Sequence, residues 1–211
     1  MSKYGHRPVN WFEAIVNKFG GEEAAEKFLS DKLVVSKPTR QRYEKNGVIY
    51  FPVMTGYGTT GLQWVNYFGT KISTAAKDIL CSPNFKPATD KVYEIAVLKG
   101  MLWGNSNRIT KRICENAYSG KFTAGKKLFK PHPEVACLIS QMFLSKDLKN
   151  MGLSCIVIMH EHIKDSDGFP TLLNAEIYDD GLRLEGTHDS YPDNRWNCNC
   201  GFAFAVSQVS V

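Results

Sequence analysis

Four apolar or alternating segments close the sequence and constrain its fold more than any other feature. They read "LSCIVIMHEHI", "TLLNAEIYDD", "LRLEGTHD" and "GFAFAVSQV", and residues such as "DSDG" and "DDG" separate them. Alternating or β-branched apolar runs are typical of strands, and Asp and Gly are typical of the turns between strands. The chain after Gly152 therefore predicts an antiparallel sheet.

A strand and two helices are predicted ahead of this sheet. "VYEIAVLKGMLW" has the composition of a strand, and "SNRITKRICENAYSG" predicts a helix with Ser106 or Asn107 as its cap and Gly120 as its stop. "PHPEVACLISQMF" predicts a second helix with Pro133 at its start. "SKDLKNMG" adds one turn of helix capped by Ser145. We expect an α+β fold.

The N-terminal half predicts short helices and a hairpin. Asn10 with Glu13 forms a capping box before one helix, and "EEAAEKFLSD" predicts a second. "KLVVS" and "GVIYFPVM" then predict a hairpin whose turn ends at Asn46-Gly47. Because "CSPNFKPATDK" is typical of a linker, we expect subdomains 1–88 and 89–211, with one continuous domain as the alternative.

A glycine-rich stretch, "TGYGTTG", precedes the apolar run "LQWVNYF". Such a stretch at a helix start is one way to bind phosphate, but this one lacks the Lys and the spacing of a P-loop. We therefore favour a loop followed by a Thr helix cap. Ser73 is the predicted cap of the next helix, "STAAKDIL".

Composition favours a soluble cytoplasmic protein of ordinary globular type. The chain has 211 residues and is 43% hydrophobic, with no apolar run near the ~20 residues that span a bilayer and no secretion-type apolar segment. Its six cysteines are scattered, and most lie in apolar surroundings. We therefore expect no membrane association and free thiols instead of disulfides.

Positive charge is concentrated in the middle of the chain. The net charge is +5, yet residues 99–130 hold eight Lys and Arg against one acid, and residues 131–211 hold five against eleven. One interpretation is a nucleic-acid site built from Arg108, Lys111, Arg112, Lys121, Lys126, Lys127 and Lys130. The other is a solvated helix face that the acidic C-terminal region partly neutralises, which we favour because no nucleic-acid motif accompanies the charge.

Three histidines form the candidate metal site. His160 and His162 are two residues apart, so on a strand both would face the same side, and His188 on a neighbouring strand could be a third ligand. This set suits zinc and a metal-dependent enzyme. The alternative, which we favour, is a pair of polar histidines at a strand end.

Two further kinds of site, a soft-metal site and an acid-base pair, have weaker support in the sequence. Cys198 and Cys200 could chelate a soft metal with His188, but zinc sites usually contain more than one closely spaced pair. Glu161 beside Asp165 or Asp167 could form an acid-base pair, but Asp next to Gly is more typical of turns. No complete catalytic or cofactor motif is present, so we predict no catalysis and no cofactor.

A loop before the last segment is the candidate protein-binding surface. The stretch "YPDNRWNCNCGF" contains Tyr191, Arg195 and Trp196, which are residue types enriched at interaction hot spots. Arg195 could instead make an ion pair that fixes the loop. We consider a protein-binding role and a purely structural role equally supported for this loop.

Several motifs occur in the order found in one protein family. They are "YEIAVLKGMLW", "RITKRI", "PEVACLI", "MGLSCIVIMHE", "IKDSDGFP", "YDDG", "NRW" and "GFAFAVSQV". The chain resembles hypothetical bacterial proteins of small-genome candidate phyla, which have no assigned activity, so the resemblance implies no chemistry. His162 stands where the family pattern has proline, and Cys198-x-Cys200 departs from the pattern.

Together these features predict a small cytoplasmic binding or accessory module that contacts a protein partner through loops at the end of its C-terminal sheet. The first alternative is a zinc-type enzyme that uses His160, His162 and His188. The second is nucleic-acid binding through residues 99–130. The sequence does not predict an oligomeric state.

Overall fold

A computed structural model describes residues 42–190 and 195–206, and it confirms the α+β class. Nine strands form one sheet. In chain order they are β1 (Tyr43–Lys45), β2 (Val48–Tyr57), β3 (Thr89–Lys99), β4 (Leu128–Phe129), β5 (Cys155–Ile158), β6 (Ile163–Lys164), β7 (Pro170–Tyr178), β8 (Gly181–His188) and β9 (Cys200–Val206).

Five α-helices accompany the strands within the described residues. They are α1 (Gly61–Phe68), α2 (Thr74–Cys81), α3 (Thr110–Tyr118), α4 (Glu134–Met142) and α5 (Ser145–Asn150). Two single 3₁₀ turns, Gly100–Leu102 and Asn105–Asn107, connect β3 to α3. The two predicted N-terminal helices and the strand "KLVVS" lie outside the described residues.

The sheet is mixed, with the order β1-β2-β3-β9-β5-β7. Both β6 and β8 pair with β7, and β4 pairs with β9. One pair departs from the predicted antiparallel arrangement, since β9 runs parallel to β5 and lies between β5 and β3. The last strand therefore lies in the middle of the sheet, where both of its edges are hydrogen-bonded.

The sheet has a hydrophobic core on each face because successive strand residues point to opposite sides. On β3, Ile95 and Val97 belong to the first core, whereas Ala96 and Leu98 belong to the second. Residues of α1, α2, α4 and α5 complete the first core. Residues of α3 and the loops around it complete the second core. We call the side of the sheet that carries the first core the first face, and the other side the second face.

The predicted turn at Asn46-Gly47 is present and joins β1 to β2. Both residues have positive φ, 54° for Asn46 and 75° for Gly47, which a two-residue type I′ hairpin turn requires. Within the described residues the first strand of this hairpin is Tyr43–Lys45.

The predicted caps of α1 and α2 are confirmed. The Thr60 hydroxyl accepts a hydrogen bond from the Gln63 N–H, and the Gln63 side chain accepts from the Thr60 N–H, which makes a capping box. The Ser73 hydroxyl accepts from the Ala76 N–H.

The predicted caps of α3 and α5 are wrong. Helix α3 begins at Thr110 after Ile109, because Asn105–Asn107 forms a separate 3₁₀ turn. Ser145 is the first residue inside α5, and the Asp147 carboxylate accepts instead from the Leu144 N–H just before it.

The strands on either side of residue 88 belong to the same sheet. Strand β2 pairs with β3 from Val48 opposite Leu98 to Tyr57 opposite Thr89. The described residues all belong to one compact unit. Among the described helices, none combines the length and the apolar character needed to cross a bilayer.

Candidate functional site

His160 is a structural residue at the end of β5. Its side chain is buried, its Nδ1 bonds the Glu161 carbonyl, and its Nε2 accepts the Leu173 N–H at 3.0 Å. Because Nε2 accepts a backbone N–H, the imidazole is neutral with its proton on Nδ1. Burial lowers the pKa of His160 to about 4, although the Glu161 carbonyl acts to raise it. Both ring nitrogens are therefore occupied.

His162 belongs to a hydrogen-bond chain on the second face. Its Nε2 lies 2.8 Å from one oxygen of Asp189, and the other oxygen of Asp189 accepts from the Thr110 hydroxyl at 2.7 Å. The Thr110 hydroxyl in turn accepts from the Trp196 Nε1–H at 2.9 Å. The chain connects the end of β8 to the first residue of α3.

His188 makes a separate pair with Asp165. Its Nε2 lies 2.7 Å from the Asp165 carboxylate, and its ring stacks on Phe169 with centroids 5.2 Å apart. Burial acts to raise the pKa of Asp165, but hydrogen bonds from the Phe169 and Asp167 N–H groups and the nearby His188 outweigh burial and lower it. Asp165 thus fixes the "DSDG" turn.

The three histidines therefore do not share a ligand site in this fold. His188 and Leu184 are four residues apart on β8, so both point to the same side of the sheet, and Leu184 is in the first core. In contrast, His162 is bonded to Asp189, which is bonded to Thr110 on the second face. Across residues 42–190 and 195–206, no three His, Cys, Asp or Glu side chains are grouped to hold a metal ion.

Glu161 does not meet the Asp side chains of the turn. It is 81% exposed and makes an ion pair with Lys130 at 2.8 Å. Asp167 donates its N–H to the Asp165 carboxylate, as turn residues do. The acidic residues after His160 therefore form a turn and a surface ion pair.

The expectation that all cysteines are free thiols is wrong. Cys155 and Cys200 face each other on the parallel strands β5 and β9, with Cα atoms 4.9 Å apart, and form a disulfide. Cys81, Cys114, Cys137 and Cys198 are free. Because Cys200 is bonded to Cys155, it does not act with Cys198 as a pair of metal ligands.

Of the residues predicted for the protein-binding loop, Trp196 lies in the core. Trp196 is 8% exposed and packs against Phe202 in the second core. Arg195 is exposed, and Tyr191 lies outside the described residues. The indole of Trp196 is thus not accessible as a hot spot in this structure.

The basic segment, residues 99–130, contains one arginine with a structural role and several exposed cations. The Arg108 guanidinium donates to the carbonyls of Trp196 and Trp103 at 2.8 and 3.2 Å, which fastens the loop before β9. In contrast, Lys111, Lys121, Lys126 and Lys127 are exposed and make no ion pair with another described residue. Arg112 is 56% exposed and lies 3.5 Å from Glu115.

Aromatic side chains lie among these cations. Tyr43, Tyr118 and Phe129 are 50%, 37% and 50% exposed, and Lys121 lies 5.2 Å from the centroid of Phe122. This interleaving is not visible in the sequence, because Tyr43 lies on β1, 75 residues before Tyr118 at the end of α3. We define the basic-aromatic surface as Tyr43, Lys45, Tyr118, Lys121, Phe122, Lys126, Lys127, Phe129 and Lys130.

Two open clefts lie within the basic-aromatic surface. The larger, about 740 Å³, is lined by Tyr118, Lys127, Leu128, Phe129, Lys130 and Glu161. The smaller, about 160 Å³, is lined by Tyr43, Lys45, Asn46, Tyr50, Phe122, Thr123, Ala124 and Lys126. Among the described residues that line the two clefts, Glu161 is the only acid, and it makes an ion pair with Lys130. The surface therefore combines positive charge with accessible ring faces.

One glycine of the glycine-rich stretch, Gly61, has a packing role. A Cβ on Gly61 would overlap the backbone carbonyl of Leu80 at the end of α2. Gly61 thus allows α1 and α2 to approach closely, which is a helix-packing role for a glycine.

Comparison with protein-family models, with curated proteins and with solved structures finds no significant match to this chain.

Proposed function

We propose that the protein binds single-stranded nucleic acid on its basic-aromatic surface. The observation that carries the proposal is the alternation of exposed lysines without ion-pair partners among the described residues and exposed aromatic rings around residues 118–130. Proteins that bind single strands use both kinds of side chain, because lysines neutralise phosphates and rings stack on bases.

The charge distribution supports this proposal. Lys121, Lys126 and Lys127 extend from the loop after α3, where acidic side chains are scarce. Exposed lysines that make no ion pair with a described residue are favourable partners for a polyanion, since they displace and release the counterions condensed on its phosphates.

The aromatic side chains support a single strand over a duplex. Tyr43 stacks on Tyr50 with ring centroids 4.9 Å apart, and one face of the pair is available because Tyr43 is half exposed. Phe129 is equally exposed at the other cleft. Unpaired bases can stack on such rings, whereas the bases of a duplex already stack on each other.

Two functions predicted from the sequence, the favoured protein binding and the alternative zinc enzyme, have less support. A zinc enzyme needs His160, His162 and His188 to converge, yet each has a different partner. Protein binding through the loop before β9 would rely on Arg195 alone among the described hot-spot residues, because Trp196 is buried.

The test is fluorescence polarisation with a labelled single-stranded oligonucleotide at several salt concentrations. We expect the logarithm of the association constant to fall linearly with the logarithm of salt concentration, with a slope of about −0.7 for each phosphate contacted. The double variant Lys126→Glu/Lys127→Glu is expected to weaken binding at least about tenfold and to make the slope shallower.

The matched control is Lys146→Glu/Lys149→Glu. Both lysines are exposed on α5, which packs on the first face and thus opposite the basic-aromatic surface, and the change in net charge is identical. Equal loss of affinity in the two double variants would indicate non-specific attraction and contradict the proposal, as would binding that salt does not affect.

A further inference from the structure

The larger cleft of the basic-aromatic surface, which we call the Tyr118 cleft, contains a carboxylate as well as cations and rings. The Glu161 Oε2 accepts a hydrogen bond from the Lys130 Nζ at 2.8 Å, and among the described residues neither side chain has another hydrogen-bond partner. Glu161 is 81% exposed, so its Oε1 is available to a ligand. Because a carboxylate repels phosphates, Glu161 is suited to contact the base of a nucleotide and not its backbone.

Both members of this ion pair extend from ordered backbone. Lys130 directly follows β4, which pairs with β9 and whose Leu128 is buried. Glu161 directly follows His160, whose buried imidazole donates from Nδ1 to the Glu161 carbonyl and accepts the Leu173 N–H at Nε2. His160 therefore fixes the backbone of Glu161. A ligand that binds the ion pair meets groups whose main-chain positions are already set, which reduces the entropy lost on binding.

The order of the polar groups in the ion pair matches one nucleobase. Because Lys130 bonds Oε2 of Glu161, the pair presents an acceptor, an acceptor and a donor in sequence. The Watson–Crick edge of guanine presents the N2 amino donor, the N1–H donor and the O6 acceptor in the complementary order. Adenine and cytosine offer one donor beside an acceptor and match two of the three groups. Thymine and uracil place a carbonyl on each side of their single N–H, so one carbonyl would face a carboxylate oxygen.

Two exposed rings line the same cleft. The Tyr118 ring is 37% exposed and contacts Phe204 edge to face, with centroids 6.2 Å apart, and Phe129 is 50% exposed. Burial raises the pKa of Tyr118, and the nearby Cys114 and Glu161 raise it further, so the phenol stays neutral and lies within range of the Glu161 charge. Unpaired bases stack on such rings, and the volume of about 740 Å³ is within the range of small-molecule sites.

We propose that the Tyr118 cleft binds an unpaired guanine base, whose N1–H and N2 amino group donate to the Glu161 carboxylate while its O6 accepts from Lys130. An exposed ring of the cleft stacks on the base. This inference deepens the function proposed above and rests on it, because the neighbouring lysines hold the phosphates of the same strand. The protein is thus a single-strand binder with a preference for guanine at one position.

The experiment measures fluorescence polarisation of labelled thymine oligonucleotides that differ only at one central base. That base is guanine, hypoxanthine, which lacks the N2 amino group, or 7-deazaguanine, which keeps the Watson–Crick edge but lacks N7. We expect the guanine and 7-deazaguanine strands to bind the full-length protein equally. The hypoxanthine strand should bind about tenfold more weakly, because it loses one hydrogen bond to a charged group.

Two variants with the same change in charge locate the preference. Glu161→Gln replaces one acceptor oxygen by an amide donor, so it should bind the guanine and hypoxanthine strands alike. It should bind an all-thymine strand at least as tightly as the wild type does, because a negative charge is removed. Glu115→Gln is the control: Glu115 is 49% exposed on α3 and is not among the residues that line either cleft, so the preference for guanine should persist.

The inference is overturned if the wild type binds guanine and hypoxanthine strands equally, if 7-deazaguanine abolishes the preference, or if the preference survives in Glu161→Gln. In each case, salt-dependent binding that requires Lys126 and Lys127 would leave the proposed function intact. If none of the oligonucleotides binds, both the proposed function and this inference are overturned.

Discussion

The indole N–H of Trp196 donates a hydrogen bond to the hydroxyl of Thr110 across 86 residues of sequence, at 2.9 Å. Thr110 is the first residue of α3, and its hydroxyl donates onward to Asp189 at 2.7 Å. This one hydroxyl therefore satisfies a largely buried indole and a carboxylate that is only 8% exposed. It holds the loop before β9, the end of β8 and the start of α3 together.

Thr110→Val is expected to destabilise the protein by about 1–3 kcal/mol, because it leaves the Trp196 N–H without its acceptor and removes one donor to Asp189. Urea unfolding measured by circular dichroism gives the change. Thr110→Ser retains the hydroxyl and should be close to wild type. A valine variant as stable as the serine variant would argue against this chain of bonds.

Burial of a neutral His160 predicts a specific pH dependence of stability. The unfolded histidine has its ordinary pKa of 6.5, and burial lowers the pKa in the folded state to about 4. As pH falls from 6.5 to about 4, the unfolded state takes up a proton that the folded state does not, so the free energy of unfolding falls. The full loss is ~3 kcal/mol, and above pH 6.5 this contribution is complete.

The measurement is urea unfolding at several pH values for wild type, His160→Gln and His162→Gln. The His160→Gln curve should be flatter than that of the wild type over this window, even though the variant is less stable at neutral pH. His162→Gln is the control, because it removes a histidine that is 34% exposed and leaves His160 in place. Parallel curves for wild type and His160→Gln would contradict the prediction.

The Cys155–Cys200 disulfide closes a loop with a sequence separation of 45, so it should stabilise the fold by about 2–4 kcal/mol. Unfolding in urea with and without a thiol reductant measures this contribution. The reductant should lower the stability of the wild type and of Cys198→Ser, and should leave Cys155→Ala/Cys200→Ala unchanged. Equal effects in all three proteins would show that the bond contributes nothing.

Gly61→Ala is expected to cost at least about 2 kcal/mol, because the added methyl group overlaps the Leu80 carbonyl and forces α1 away from α2. Gly104→Ala is the matched control: a Cβ there has no neighbour within 4 Å, so the change should stay under about 1 kcal/mol. Thermal unfolding of the two variants compares them directly. Similar losses would mean that the contact between α1 and α2 is not tight.

Local features of the fold were predictable from short stretches of sequence. The Asn46-Gly47 turn, the Thr60 and Ser73 caps and the "DSDG" turn depend on residues within a few positions of each other, so sequence pattern identifies them. The start of α3 was predicted too early, because the polar residues of Asn105–Asn107 resemble a helix cap but form a 3₁₀ turn.

The candidate sites depended on distant residues and could not be predicted in the same way. The spacing of His160 and His162 suggested a shared ligand face, but the regular part of β5 ends at Ile158, so strand alternation does not continue through them. The role of Arg108 was also hidden, because its acceptors include the carbonyl of Trp196, which is 88 residues away. Charge counting alone placed it with the exposed cations.

The sequence by itself determined the α+β class, the approximate positions of most described strands and helices, and the positive charge of residues 99–130, because each follows from local composition and spacing. Tertiary structure alone decided that β9 lies between β3 and β5, that Cys155 contacts Cys200, and that Tyr43 lines the same cleft as Phe122 and Lys126. The physical reason is that strand order depends on which apolar faces pack together, and such contacts join residues far apart in the chain.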